Sequence, residues 1–328
     1  MSNTIWRTLG RGLLAGLLGL CVSVMAQDYP SKPVRLVVPF APAGATDILG
    51  RIIAERLGAV YGQSIVVDNK PGASGHLGAQ IVAKSPGDGY TLLIGTIGIH
   101  AAYASYTKLT YSPAKELQPV MIIGEAPNLV LVPANSPYKT FADFLADAKA
   151  NPGKVNYASA GPGSSVHMVT ALFELASGVR LNHVAYRGSG PALVDLISGQ
   201  VDVMFDNISS GMPHVQSGKL RALAVTGPKR DARFPHVPTI AEAGVPGYSG
   251  TSWFTLAAPA SMPAPLVNKL NKDVQRVLAT PEVMARYDKL GITYTPNTPN
   301  TPAEAAAFFK SETAKWNRVI QAAHLQLD

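Results

Sequence analysis

Hydrophobic and polar positions along this chain switch between two periods, and the clearest switch falls within 34–51. Val34–Val38 is an apolar, β-branched run broken only by Arg35, the composition of a buried parallel strand. Pro, Ala and Gly then mark a turn. From Thr46 or Asp47 a helical pattern opens, with Ile48, Leu49, Ile52, Ile53 and Leu57 at three- and four-residue spacing. The unit is strand, small-residue loop, helix N-terminus. Such a loop aims free backbone N–H groups and the positive end of the helix dipole outward, which suits an anion.

The same patterning continues down the chain. It predicts a strand over 64–68, a helix over 76–84, a strand over 90–95 ending at Thr96, and strands over 120–123 and 129–132. Strand and helix alternate, which predicts an α/β domain with a mainly parallel sheet. Prolines at 133 and 137 interrupt the alternation and mark a first crossing into a second domain. There Phe141, Phe144, Leu145 and Ala148 share one helix face, and the sequence Asn151-Pro-Gly153 ends it. The opening device then recurs as strand 154–158, loop 159–165 and helix 166–176, and again as strand 182–186, loop 187–191 and helix 192–197. A strand over 201–205 leads to Asp206 and Asn207, and another spans 220–225. A second crossing strand is expected over 251–257, and amphipathic segments over 265–278, 281–290 and 302–325 complete the chain. The expected division is 27–134 plus 251–328 as a discontinuous first domain and 135–250 as the second. An interrupted domain joined by two crossings suits a hinged binding protein that closes on a ligand. It suits one large α/β enzyme equally well, and patterning alone leaves both open.

Composition changes this picture at the N-terminus. The chain has 328 residues, 47% hydrophobic and 15% charged, enough for a large core and two domains. Arg7 and Arg11 precede an apolar run over 12–26 that is short for a membrane span and ends in the small-residue pattern Val24-Met-Ala26. Residues 1–26 therefore read as a removable signal peptide, and the mature chain as a soluble periplasmic protein. Cys21, the only cysteine, lies inside this leader behind the large Leu20, so plain secretion is favoured over lipid anchoring. The mature chain then lacks disulfides, cysteine nucleophiles and cysteine-bound zinc. Without the leader, 26 Lys and Arg face 21 Asp and Glu, a net of +5. These charges are scattered, with no basic face interleaved with aromatics, so no nucleic-acid partner is expected.

Enzyme signatures are missing. Residues 72–76 fail the Gly-x-Ser-x-Gly pattern at their last position, and Gly161-Pro-Gly163 lacks the third glycine of a dinucleotide loop. No phosphate loop and no metal-binding histidine spacing occurs, so no cofactor or metal is expected. A serine–histidine pair such as Ser164 or Ser165 with His167 is to be considered, but residues two apart on a helix, as Ser165 and His167 are, do not face each other. What remains are glycine- and serine-rich loops after strands. Loops 41–47, 72–75 and 159–165 contain no Arg or Lys, so an anion there would be held by neutral donors.

A broader likeness emerges from these segments taken together. The stretches Tyr29-Pro-Ser-Lys-Pro33, Pro39 to Asp47, Asn69-Lys-Pro-Gly-Ala-Ser-Gly75, Pro86-Gly-Asp-Gly-Tyr90, Asn156 to His167, Tyr186-Arg-Gly188 and Phe205-Asp206-Asn207 resemble the Bug-type solute receptors of tripartite tricarboxylate transport systems. The similarity covers essentially the whole mature chain. It implies a two-domain periplasmic binding protein of the Venus-flytrap, type II-like kind with two crossover strands. It also implies a monomer that captures a small carboxylated metabolite without catalysis and presents it to membrane transporter subunits. Family members often carry Pro-Gly-Gly where this chain has Pro42-Ala43-Gly44, so a methyl at Ala43 either narrows the floor or restricts φ there.

The expected ligand-binding set is Phe40, Ala43, Gly44, Ala45, Thr46, Asp47, Ser74, Thr96, Ser159, Gly163, Ser164, Ser165, His167, Tyr186 and Asp206, with no catalytic residue. Several have structural alternatives. Asp47 also suits a helix start, Ser164 and Ser165 suit a helix cap, Ser74 a turn, and His167 a packed interior. Asp206 would repel a carboxylate beside it. It either orders the Gly188 loop and hinge, the reading favoured here, or meets a cationic or donor group of the ligand. Trp253 reads as core. The competing functions are a secreted α/β serine hydrolase working in the same cleft and a ligand sensor for a two-component system.

Overall fold

A computed structural model describes residues 29–104, 106–296, 300–325 and 327, so the expected leader lies outside the described residues. The first units are β1 (Val34–Val38), α1 (Ala45–Tyr61), β2 (Ile65–Asn69), α2 (His76–Ala83) and β3 (Thr91–Thr96). Two short helices, α3 (Ile97–His100) and α4 (Pro113–Glu116), lead to the long β4 (Leu117–Pro133). Then come α5 (Phe141–Ala150), β5 (Asn156–Ser159), α6 (Ser165–Ser177), β6 (Asn182–Ala185) and α7 (Ser189–Ile197). After β7 (Val203–Asn207), α8 (Ile208–Gln216), β8 (Leu220–Val225) and β9 (Thr251–Pro259), the chain ends in α9 (Ala264–Leu278), α10 (Pro281–Leu290) and α11 (Pro302–Ala322).

The strands form one sheet in the order β2-β1-β3-β9-β4-β7-β5-β6, with β8 also paired to β4. β1 is parallel to β2 and β3, and β5 is parallel to β6 and β7, so each half carries the strand–loop–helix device in a parallel block. The antiparallel β4 and β9 join the halves. Up to Pro127 β4 pairs with β9, and from Asn128 it pairs with β7 and β8. The expected separate strands over 120–123 and 129–132 are thus one strand. Register shifts at Pro119/Met121 and Ile122/Gly124 let it carry residues that read as breakers. Asn128 fastens the partner change. Its Nδ2 donates to Phe205 O at 2.7 Å, its Oδ1 accepts from Ser252 Oγ at 2.9 Å, and its N donates to Thr226 Oγ1 at 2.7 Å.

Apolar faces follow the sequence pattern. Leu49, Ile52, Ile53 and Leu57 of α1 pack onto the β1 side of the sheet, and Phe141, Phe144, Phe173 and Phe205 form an aromatic block in the other half. Trp253 is core, as expected: it is fully buried and its Nε1 donates to Glu312 Oε2 at 2.8 Å, as does Trp316 Nε1. That shared carboxylate ties α11 to β9. Two differences from the pattern bear on the site. α7 begins at Ser189 rather than Ala192, and α8 lies where no helix is expected because Gly211 and Pro213 break its periodicity. No helix of the described residues is long and apolar enough to cross a membrane.

Candidate functional site

Helix starts converge on one small cavity between the two parallel blocks. Phe40, Gly44, Ala45 and Thr46 reach it from the β1–α1 loop, and Thr96 from the end of β3. Ala160, Ser164, Ser165 and Val166 come from the β5–α6 loop, Ser189 from the start of α7, Asn207 from the start of α8, and Phe254 from β9. The N-caps of α1, α6, α7 and α8 are Gly44, Ser164, Gly188 and Asn207. The first amides of each helix have no acceptor within the helix, so four dipoles place partial positive charge here. The lining contains no charged side chain, and the cavity holds about 20 Å³.

Three of its polar atoms lack partners. Thr96 Oγ1, Ser165 Oγ and Asn207 Oδ1 are buried and make no hydrogen bond. A buried polar group left unsatisfied costs about 1–3 kcal/mol, and native interiors rarely leave three together. Turning the Asn207 amide over presents its Nδ2 as a donor. Two hydroxyls and one side-chain amide of the lining, beside four helix starts, can therefore donate to a small anion.

Other expected residues build the walls. Asp47 lies outside the lining and braces the first loop, accepting from Ala43 N at 3.1 Å, Arg51 Nη2 at 2.9 Å and Asn69 Nδ2 at 3.1 Å. Burial pushes its pKa up, but these donors, Arg51 foremost, outweigh that and hold it below the usual carboxylate range. Ala43 does not line the cavity either. Its φ is 68°, a left-handed conformation costing an alanine about 1 kcal/mol, so of the two expected effects of its methyl the structure shows the backbone one.

The facing loop is braced in the same way. Gly163 N donates to His167 Nδ1 at 2.7 Å, Gly161 N to Ser159 Oγ at 3.0 Å, and Ser159 Oγ bonds His183 Nε2 at 2.6 Å. The two imidazoles stack with centroids 4.3 Å apart. Burial drives His167 down to about 3, with His183 adding to the effect, and burial drives His183 to about 4, so both are neutral. Ser159, Gly163 and His167 thus stand behind the loop and not at the cavity. Ser164 Oγ accepts from His167 N, Ser165 Oγ is free, and Ser189 Oγ donates to Asp206. Among the described residues no cavity serine touches an imidazole nitrogen.

Ser74 and Tyr186 line a separate outer groove of about 630 Å³ that shares Phe40 and Ala160 with the cavity. Asp206 is fully buried behind Ser189. It accepts from Ser189 Oγ and Ser210 Oγ, each at 2.6 Å, an ordering of the α7 and α8 starts rather than a cavity contact. Sequence reasoning missed Ala160, Val166, Ser189, Asn207 and Phe254. A signal existed for Ser189: Pro191 falls in the first turn of α7, where proline is tolerated, so the helix start precedes it.

Burial pushes the Asp206 carboxyl up to about 6, against the lowering effect of its two serine donors. Between the unfolded value near 4 and this value, the folded state keeps a proton that the unfolded state has lost. The stability this group contributes is therefore present below about pH 4 and lost as pH rises through 6, by about 3 kcal/mol. Urea melts of wild type and Asp206→Asn across this range should diverge by that amount in the variant's favour as pH rises, the buried histidines cancelling in the difference. A pH-independent difference would show that Asp206 does not titrate there.

Comparisons with known proteins place the chain among its relatives. The family described as tripartite tricarboxylate transporter family receptor matches residues 49–325. The R. palustris protein Rpa4515, solved with adipate, is 40% identical, with a TM-score of 0.85 over 90% of this chain and 98% of its own. MatC from Rhodopseudomonas palustris, solved with bound malate, is 35% identical, with a TM-score of 0.84 over 89% of this chain and 100% of its own. The periplasmic binding protein BugD is 33% identical, with a TM-score of 0.85 over 90% of this chain and 99% of its own. These neighbours are binding proteins, and their α/β fold is the one described above. With most of its length matched, the chain belongs to the tripartite tricarboxylate transporter receptor family.

Proposed function

We propose that this chain is an exported periplasmic receptor that captures a small carboxylate and presents it to a tripartite-type membrane transporter, with no chemistry of its own. The observation that carries this reading is the group of unpartnered polar side chains, Thr96, Ser165 and Asn207, among helix N-termini in an uncharged cavity. Taking a carboxylate from water costs several kcal/mol. Three or four charge-assisted hydrogen bonds at roughly 1.5–3 kcal/mol each offset that. The adipate and malate of Rpa4515 and MatC support the same ligand class. The protein acts as a monomer with domains 27–134 plus 251–328 and 135–250, and the partner change of β4 at Asn128 supports a hinge between them.

A thermal-shift screen of carboxylic acids tests this. At a hundredfold excess over Kd, a ligand stabilises the folded state by about 2.7 kcal/mol, which raises Tm by roughly 5–10 °C. The acid should be recovered unchanged. Turnover would return the serine-hydrolase reading, and no shift with any acid would remove the receptor reading.

A further inference from the structure

Leu327 is a buried apolar residue that does not belong to the core. Only 2% of it is exposed, yet it joins none of the apolar clusters of the described residues. Leu325, just before it, packs on the cluster that holds the aromatic block. A Schellman turn ends α11: Leu325 N donates to Ile320 O at 3.0 Å and His324 N to Gln321 O at 3.3 Å, with His324 left-handed at φ 50°. That turn sets Leu325 on the core and leaves Leu327 in the wall of the outer groove, with Tyr106, Gly161 and Pro162.

The opposing loop is shaped to receive it. A Cβ on Gly163 would stand 2.9 Å from Leu327 Cδ1 and 2.7 Å from Tyr106 Oη, so the glycine leaves a notch for both side chains. Tyr106 Oη also donates to Pro162 O of the same loop. Gly163 stands behind the inner cavity, and its contact with Leu327 gives it a use there. The loop walls of the groove are largely glycine, alanine and proline, whose shape is that of the backbone. Leu327 is a side chain inserted among them from a segment held in no strand or helix, so its bulk sets the space on that side. The inner cavity, at about 20 Å³, holds one water-sized group, while the groove holds about 630 Å³ and shares Phe40 and Ala160 with it. An acid with its head in the cavity therefore has its body in the groove that Leu327 walls.

We propose that Leu327 is a specificity-determining residue, whose side chain limits the bulk of the carboxylic acid body that the groove admits. This rests on the receptor reading above. Calorimetric titration with malate, adipate and terephthalate, acids of increasing bulk, tests it on wild type, Leu327→Ala and Leu327→Trp. One methylene more or less in an apolar pocket changes affinity by roughly 10- to 200-fold. Leu327→Ala should therefore raise the affinity for terephthalate relative to malate by at least about tenfold, and Leu327→Trp should lower it by as much. Leu327 lies outside the core, so both variants should fold, and each reads the ratio independently. Leu325→Ala, which strips a side chain from the core, should lower Tm and leave the ratio unchanged. A ratio equal in wild type and both Leu327 variants would overturn the assignment, as would a uniform loss of all three acids. Either result would leave the receptor reading standing. A protein that binds none of the three acids in any form would remove both.

Discussion

Replacing Thr96 with valine and Ser165 with alanine together should weaken carboxylate binding by about a thousandfold without destabilising the free protein. The two hydroxyls are buried, line the cavity and have no partner in the fold. Toward a carboxylate each makes a charge-assisted hydrogen bond worth roughly 1.5–3 kcal/mol, so losing both costs about 4 kcal/mol of binding. In the free protein the same hydroxyls are buried without reward. Removing them relieves a desolvation cost, so unfolding free energy should stay equal or rise by about 1 kcal/mol. Calorimetry and urea melts on the same samples give both numbers. A variant that binds normally, or one that loses stability and binding together, would mean these hydroxyls serve the fold.

Much of the frame could be read from the chain because each element keeps one period. Val34–Val38 with the α1 stripe, and the 154–176 segment with its Phe173 face, announce strand, loop and helix without tertiary help. The pattern divides β4 because Gly124 and Pro127 look like breakers. Its bulges and its shared position between both halves override local propensity. The site was legible as loops and not as atoms. Asp47 and Thr46 are neighbours on one helix turn, yet Thr46 lines the cavity while Asp47 turns back to Ala43 and Arg51. Nothing in residue type separates them, since a donor that meets a ligand and a group that holds a loop are drawn from the same polar set. Ser189 and Asn207 were hidden for another reason. Each sits at the start of a helix whose proline or glycine masks its periodicity.

A single methyl at Gly190 should abolish ligand binding more completely than any loss of a hydrogen bond. Gly190 lies in the first turn of α7, and a Cβ there would fall well inside contact distance of the Pro42 carbonyl oxygen on the opposite loop. Next to it, a Cβ on Gly188 would stand 2.9 Å from Ala41 N, which itself donates to Arg187 O at 3.1 Å. The 41–44 and 187–190 loops thus meet backbone to backbone, and neither face has a flexible side chain that can give way. With alanine at 190 the two loops must separate, and one wall then withdraws from the carboxylate with its share of donors, a loss of at least about 4 kcal/mol. Binding should fall below detection by calorimetry, and added acid should no longer contract the protein in solution scattering. Gly44→Ala is the comparison. A Cβ there would sit 3.5 Å from Ser189 Cβ, an ordinary contact across the same gap, so it should cost far less. The contrast separates approach of the loops from mere bulk near the cavity. If Gly190→Ala binds and contracts like the wild type, the two loops do not meet in the bound state, and the carboxylate is held somewhere other than between them.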